Sequence, residues 1–215
     1  TEEFRGKEIT ALTINGDPLP FTADLGRDWE PWMAFRELYA NALDEGGEVV
    51  RCEDGINVDV TETAISVTLD AFEAIYFSTE EHFIGQEEKP VWKSSGMEIY
   101  PGKALFVLYR GIAVMKLKEP ASYRYNLLHY LDLTEDRTAK YDFIVRRQIA
   151  EELAKLDVEE IAATVTDSRN KFESALDFSE HNGSEVFLGA AVKQGSACNP
   201  TAMALVRAQI PTDTT

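Results

Sequence analysis

Apolar and polar residues alternate over Lys7-Glu-Ile-Thr-Ala-Leu-Thr-Ile14, which predicts a strand, and Asn15-Gly16-Asp17 predicts a turn that folds it back on Phe21 as an opening hairpin. From Glu30 to Gly47 the period lengthens. Met33, Phe35, Leu38, Tyr39, Ala42 and Leu43 form an apolar seam at helical spacing. Both helix ends are signalled: Asp28 suits the N-cap, Pro31 the first turn and Gly46-Gly47 the stop. Strand-like alternation returns at 48–52, 56–60 and 64–69, with Glu53-Asp54-Gly55 as a turn between the first two. Phe72, Ile75 and Tyr76 predict a short helix within 70–84, and Ser78 or Thr79 can start another turn.

Residues 85–103 mix Gly, Pro, Ser and charge without a period and read as a long loop, a feature that in compact domains is often a functional lid. The segments 104–109 and 112–117 predict strands joined by the two-residue link Arg110-Gly111. Another strand is expected over 123–133, and 133–137 can turn or cap the next element. The helical period then holds through Phe143, Ile144, Ile149, Leu153 and Leu156, and again through Val158, Ile161, Val165, Phe172 and Leu176. The apolar run 184–192 fits either a strand or a buried helix, and Asn199-Pro200 opens a last helix over 201–209 before a polar tail.

A helix followed by successive strands, and not strict strand–helix alternation, predicts an α+β fold, a sandwich with helices on one face of a mixed or antiparallel sheet. The expected organisation is a core over 1–138 and a helical portion over 139–215 packed on the same domain. At 215 residues, 44% hydrophobic and 10% aromatic, the chain can bury a sizeable core. It has no apolar run of the ~18–20 residues that a membrane span requires. No secretory leader is visible in the sequence, although it begins with Thr. Cys52 and Cys198 lie far apart without CxxC spacing, which fits a reducing, cytoplasmic setting. His82, His129 and His181 are scattered, and no zinc pattern emerges.

The net charge of −17 disfavours binding to a nucleic-acid backbone or to anionic lipid, since both need basic patches. It leaves open an acidic interaction protein that presents carboxylates as surrogate phosphates to a basic groove.

Within the helix at 30–47, Glu37, Asn41 and Asp44 stand at i, i+4 and i+7 and share one face. That spacing also describes the solvated face of an ordinary amphipathic helix. A carboxylate one turn before an amide nevertheless suits a magnesium-nucleotide site. The amide oxygen can ligate Mg²⁺, which keeps several waters, while the carboxylate activates water at the γ-phosphate.

Glu37-Leu-Tyr-Ala-Asn41-Ala-Leu-Asp44-Glu45 resembles the N-box of the GHKL superfamily, the Bergerat-fold ATP-binding domains of gyrase, the ninety-kilodalton chaperones, sensor histidine kinases and MutL mismatch-repair proteins. The resemblance covers about fifteen residues. It implies an α/β sandwich with ATP between helices and sheet beneath a mobile lid, Glu37 as general base, Asn41 as Mg²⁺ ligand and Asp44 in support near the nucleotide. Asp70, after the 64–69 strand, would accept from the adenine amino group, although Asp70-Ala-Phe-Glu-Ala lacks the two glycines of the family's D-x-G-x-G element and the same residue suits a helix N-cap. The lid would be 85–103, with Ser94, Ser95, Gly96, Gly102 and Lys103 as phosphate contacts. The wording from Trp32 to Gly47 is also similar to small GHKL-like proteins encoded by bacteriophages. That likeness implies a protein of the host cytoplasm acting on a host or defence protein, with a homodimer and a degenerate site both left open.

Overall fold

In the computed structural model the described residues are 2–4, 7–9, 11–14, 17–22, 29–44, 70–85 and 87–210, and the chain divides into two units, Thr1–Thr79 and Glu80–Thr215. The strands expected at 48–52, 56–60 and 64–69 lie outside the described residues, as do Asp28, Gly46-Gly47 and the tail after 210.

The N-terminal unit opens with two antiparallel pairs. Strand β1 (Glu2–Phe4) pairs with β2 (Lys7–Ile9). Strand β3 (Ala11–Ile14) pairs with β4 (Asp17–Thr22) through Ile14↔Asp17 and Ala11↔Thr22, the hairpin that the Asn15-Gly16 signal predicts. Helix α1 (Pro31–Asp44) begins at the expected proline, and α2 (Asp70–Tyr76) packs against it. The end of α2 is marked by side chains that take over main-chain acceptors. The Ser78 hydroxyl donates to the Ala74 carbonyl at 3.0 Å and the Thr79 hydroxyl to the Tyr76 carbonyl at 2.6 Å. The four-residue helix α3 (Thr79–His82) spans the boundary between units.

The apolar seam of α1 is rotated from its expected position. Trp32, Phe35, Arg36 and Ala40 are the buried residues, while Met33, Leu38, Tyr39 and Ala42 are half-buried. The large Trp32 indole draws its own stripe inward, and Phe35 stacks on Tyr39 one turn on, with ring centroids 5.5 Å apart.

The C-terminal unit is α+β. A mixed five-stranded open sheet is built from β5 (Trp92–Lys93), β6 (Met97–Tyr100), β7 (Ala104–Tyr109), β8 (Ile112–Ala121) and β9 (Arg124–Leu127), in the order β5-β6-β9-β7-β8. Only β7 and β9 are parallel, with Leu108 opposite Asn126. Helices α4 (Asp142–Ala154), α5 (Glu159–Thr166), α6 (Lys171–Ser174), α7 (Glu185–Gln194) and α8 (Pro200–Gln209) follow. The stretch 85–103, read from sequence as irregular, holds the β5–β6 hairpin, and the strand expected over 123–133 is confined to four residues. The ambiguous run 184–192 is helical. Ser184 caps α7 by accepting from the Phe187 N–H at 3.0 Å.

The β7–β8 turn is set by Arg110 and Gly111, whose φ angles of 51° and 86° are the left-handed pair of a type I′ hairpin. Alternate sheet residues, among them Met97, Ile99, Val107, Tyr125 and Leu127, join the helices in one core with Val145, Ile149, Leu153, Val165 and Phe187. Sheet and C-terminal helices therefore form a single packing unit. Edge strand β8 is protected against pairing with another chain. The Ala139 N–H donates to the Val114 carbonyl, Phe83 bridges to Ile112, and Lys116, Lys118 and Pro120 occupy the remainder.

Two buried polar residues lock distant segments together. The Glu173 carboxylate accepts from the Ser122 N–H at 2.7 Å, the Ser122 hydroxyl at 3.2 Å and the Tyr125 hydroxyl at 2.8 Å, tying α6 to the β8–β9 connection. Asn199 caps α8 and donates to the Glu173 and Leu176 carbonyls.

Candidate functional site

Helix α1 puts Glu37 and Asn41 one turn apart on the same face, about 5–6 Å between Cβ atoms. Asn41 is exposed, and its amide has no hydrogen-bond partner among the described residues. The Glu37 side chain is 19% exposed. The Glu37 Oε1 accepts a hydrogen bond from Arg36 Nε at 3.2 Å and lies 3.1 Å from Arg36 Nη2 as an ion pair. Asp44 is the last residue of α1, and Asp70 opens α2, the neighbouring helix, where an acidic residue suits the positive end of the helix. Asp70 therefore stands at the start of the helix that packs on the one carrying Glu37 and Asn41. The side chains of Asp44 and Asp70 lie outside the described residues.

Ser94, Ser95 and Gly96 make the β5–β6 turn of the other unit, and Gly102 and Lys103 make the β6–β7 connection. The donors of the first turn are engaged locally. The Gly96 and Met97 N–H groups both donate to the Ser94 oxygen at 3.0 Å, and the Ser94 hydroxyl donates to Glu152, a carboxylate only 2% exposed. Gly96 is required by packing as well. A Cβ there would stand 2.5 Å from Glu152 Oε1 and 2.7 Å from His129 Cε1. Glu152 also accepts from Lys155 at 2.8 Å. Burial alone would lower the Lys155 pKa, but hydrogen bonds to Glu152 and Glu151 outweigh it and raise the ammonium above its usual value. Ser95, Gly102 and Lys103 are exposed, and Gly102 takes a left-handed φ of 100°.

A second polar chain crosses β6 and β9. Glu98 Oε2 accepts from the Tyr100 hydroxyl at 3.0 Å and the Asn126 amide at 2.9 Å, and Asn126 Oδ1 accepts from the Gly111 N–H at 2.8 Å. Burial, reinforced by Glu98, pushes the Tyr100 hydroxyl up to about 12, so at neutral pH it acts as a donor and not as a phenolate. Beside it the Arg124 guanidinium pairs with Glu88 and donates to the Phe83 carbonyl at 2.8 Å. This chain anchors the 83–88 segment and the hairpin turn to the sheet.

Arg36 carries a signal that the sequence reading did not single out. It is fully buried in a unit whose sequence has 5 basic and 17 acidic side chains. The available clue was its place four residues after Trp32 and immediately before Glu37. Among the described residues no three His, Cys, Asp or Glu side chains converge as a metal-binding group. No described helix is long and apolar enough to cross a membrane. Compared with protein-family models, with curated proteins and with solved structures, the chain matches none.

Proposed function

We propose that the chain is a Bergerat-type Mg-ATP-binding protein that hydrolyses ATP slowly and uses the nucleotide as a switch on a protein partner, a host or defence protein if the chain is phage-encoded. The observation that carries this reading is the exposed Asn41 amide one helical turn after the half-buried Glu37 carboxylate, on a helix whose neighbour begins at Asp70. The residues fit a magnesium ion. An exposed amide oxygen is a hard, neutral donor, and one such ligand suffices beside phosphate oxygens and waters. When bound, the ion would neutralise phosphate charge in a unit that is itself strongly acidic.

Asn41 holds the metal side of the nucleotide, and Asp70 supplies the acceptor for the adenine amino group. Glu37 takes a proton from water as the water oxygen bonds to the γ-phosphorus. The phosphorus bond to the β–γ bridging oxygen breaks, its electron pair leaves on ADP, and the proton passes on to solvent. Hydrolysis and binding are therefore separable. Glu37→Ala should abolish phosphate release in a steady-state assay while nucleotide affinity stays within about threefold, because the carboxylate acts on water and not on the ground-state nucleotide. If Glu37→Ala releases phosphate at the wild-type rate, Glu37 is not the base.

A second reading is favoured by the charge distribution. The first 79 residues hold 17 of the 38 acidic side chains and 5 of the 21 basic ones, a density suited to occupying a basic groove. That reading requires salt-sensitive association with a basic partner that is indifferent to Glu37→Ala.

A further inference from the structure

Neighbours at i and i+1 on a helix point about 100° apart and do not ordinarily meet. In α1 they do. Arg36 is 0% exposed, its guanidinium carbon lies 5.1 Å from the centroid of the Trp32 ring one turn earlier, and both Nε and Nη2 reach the same oxygen of Glu37. A buried guanidinium is costly unless paired, and the indole face and the carboxylate contribute to that pairing. The Nε hydrogen bond together with the Nη2 ion-pair contact on Oε1 also restricts rotation of the carboxylate, which a lone glutamate on a helix face would retain.

We infer that Arg36 is a positioning residue for Glu37, a buried guanidinium braced on Trp32 that fixes the orientation in which the Glu37 carboxylate meets water. The catalytic consequence rests on the Mg-ATP reading above, whereas the pairing itself does not. Arg36 is fully buried and is not presented to solvent. Its removal should therefore act on turnover through Glu37 and leave nucleotide affinity alone.

The test uses the full chain with Arg36→Met, Arg36→Lys, Glu37→Gln and the double variant Arg36→Met/Glu37→Gln. Thermal unfolding of the four proteins forms a double-mutant cycle that reads the pairing without any nucleotide. The expected result is non-additivity, with the double variant losing clearly less than the sum of the two single losses. Additive losses would overturn the pairing.

Steady-state hydrolysis of Mg-ATP reads the positioning. In Arg36→Met, kcat should fall about 10- to 100-fold with KM within about twofold, and Arg36→Lys, which keeps the charge and loses the fork, should recover part of kcat. An unchanged kcat in Arg36→Met, or a rise in KM that accounts for the whole effect, would overturn the positioning role. If Arg36→Met fails to fold, Arg36→Lys carries the same kcat-against-KM comparison. A wild-type chain that binds no Mg-ATP would sink the nucleotide reading, and the unfolding cycle would then judge the Arg36–Glu37 pairing by itself.

Discussion

Asn199→Ala removes four hydrogen bonds made by one fully buried side chain, and one of the two acceptors open to the Thr201 hydroxyl. Its Oδ1 accepts from the Thr201 N–H at 2.8 Å and the Ala202 N–H at 3.3 Å, and the single Thr201 hydroxyl proton goes either to Oδ1 at 2.8 Å or to the Leu176 carbonyl at 3.0 Å. Its Nδ2 donates to the Glu173 carbonyl at 3.0 Å and the Leu176 carbonyl at 3.3 Å. The lost cap costs about 1 kcal/mol. Both carbonyls keep another donor, Leu176 the Thr201 hydroxyl at 3.0 Å and Glu173 the Leu176 N–H at 3.1 Å, so the carbonyl share is the net worth of the lost bonds, about 1 kcal/mol, and not a full desolvation penalty. The sum is about 2 kcal/mol, which in a unit of this size lowers the unfolding midpoint by about 7 °C. Asn199→Ser restores a cap acceptor but no donor and should recover about 1 kcal/mol. Urea unfolding followed by far-ultraviolet circular dichroism gives both values. A loss below about 1 kcal/mol for Asn199→Ala, or no difference between the Ala and Ser variants, would refute the division into cap and carbonyl shares.

Gly96→Ala should destabilise the C-terminal unit by about 1–3 kcal/mol in the same assay, because the new methyl group would meet Glu152 and His129; a neutral substitution would show that the β5–β6 turn yields. The pH dependence should identify Glu88. Its partial burial raises its pKa, but the Arg124 and Gly85 hydrogen bonds and the Arg124 charge win and hold it below its usual value of 4.5. A carboxyl depressed in the folded state contributes stability that is present above about pH 4.5 and is lost as pH falls through the folded value. Glu88→Gln should therefore be less stable than wild type at pH 7, and the gap should close as the buffer is taken from pH 5 to pH 3. A gap independent of pH would contradict the Arg124–Glu88 account.

Legibility in the sequence followed the range of the interactions. The Arg110-Gly111 hairpin, the Asn199-Pro200 helix start and the Pro31 start of α1 depend on neighbouring residues, and each could be read directly. Strands β5 and β6 could not. At two and four residues they are too short for a period, and β6 is held by β9 across the pairs Met97↔Leu127 and Tyr100↔Arg124. Arg36 was overlooked for a different reason. Arginine is seldom fully buried, and its contacts here with Trp32 and Glu37 arise only once the helix is folded and packed. The Glu37–Asn41 spacing was legible because it needs only a helix. The local engagement of Ser94 and Gly96 was not, since Glu152 and His129 arrive from more than thirty residues away.

The central claim is that Asn41 and its helix hold a magnesium nucleotide, and isothermal titration of Mg-ATP into the full chain tests it most directly. The account predicts saturable binding that disappears when EDTA replaces Mg²⁺, weakens at least about tenfold in Asn41→Ala and persists in Glu37→Ala. Absence of binding heat together with an unfolding midpoint unmoved by millimolar Mg-ATP would contradict it.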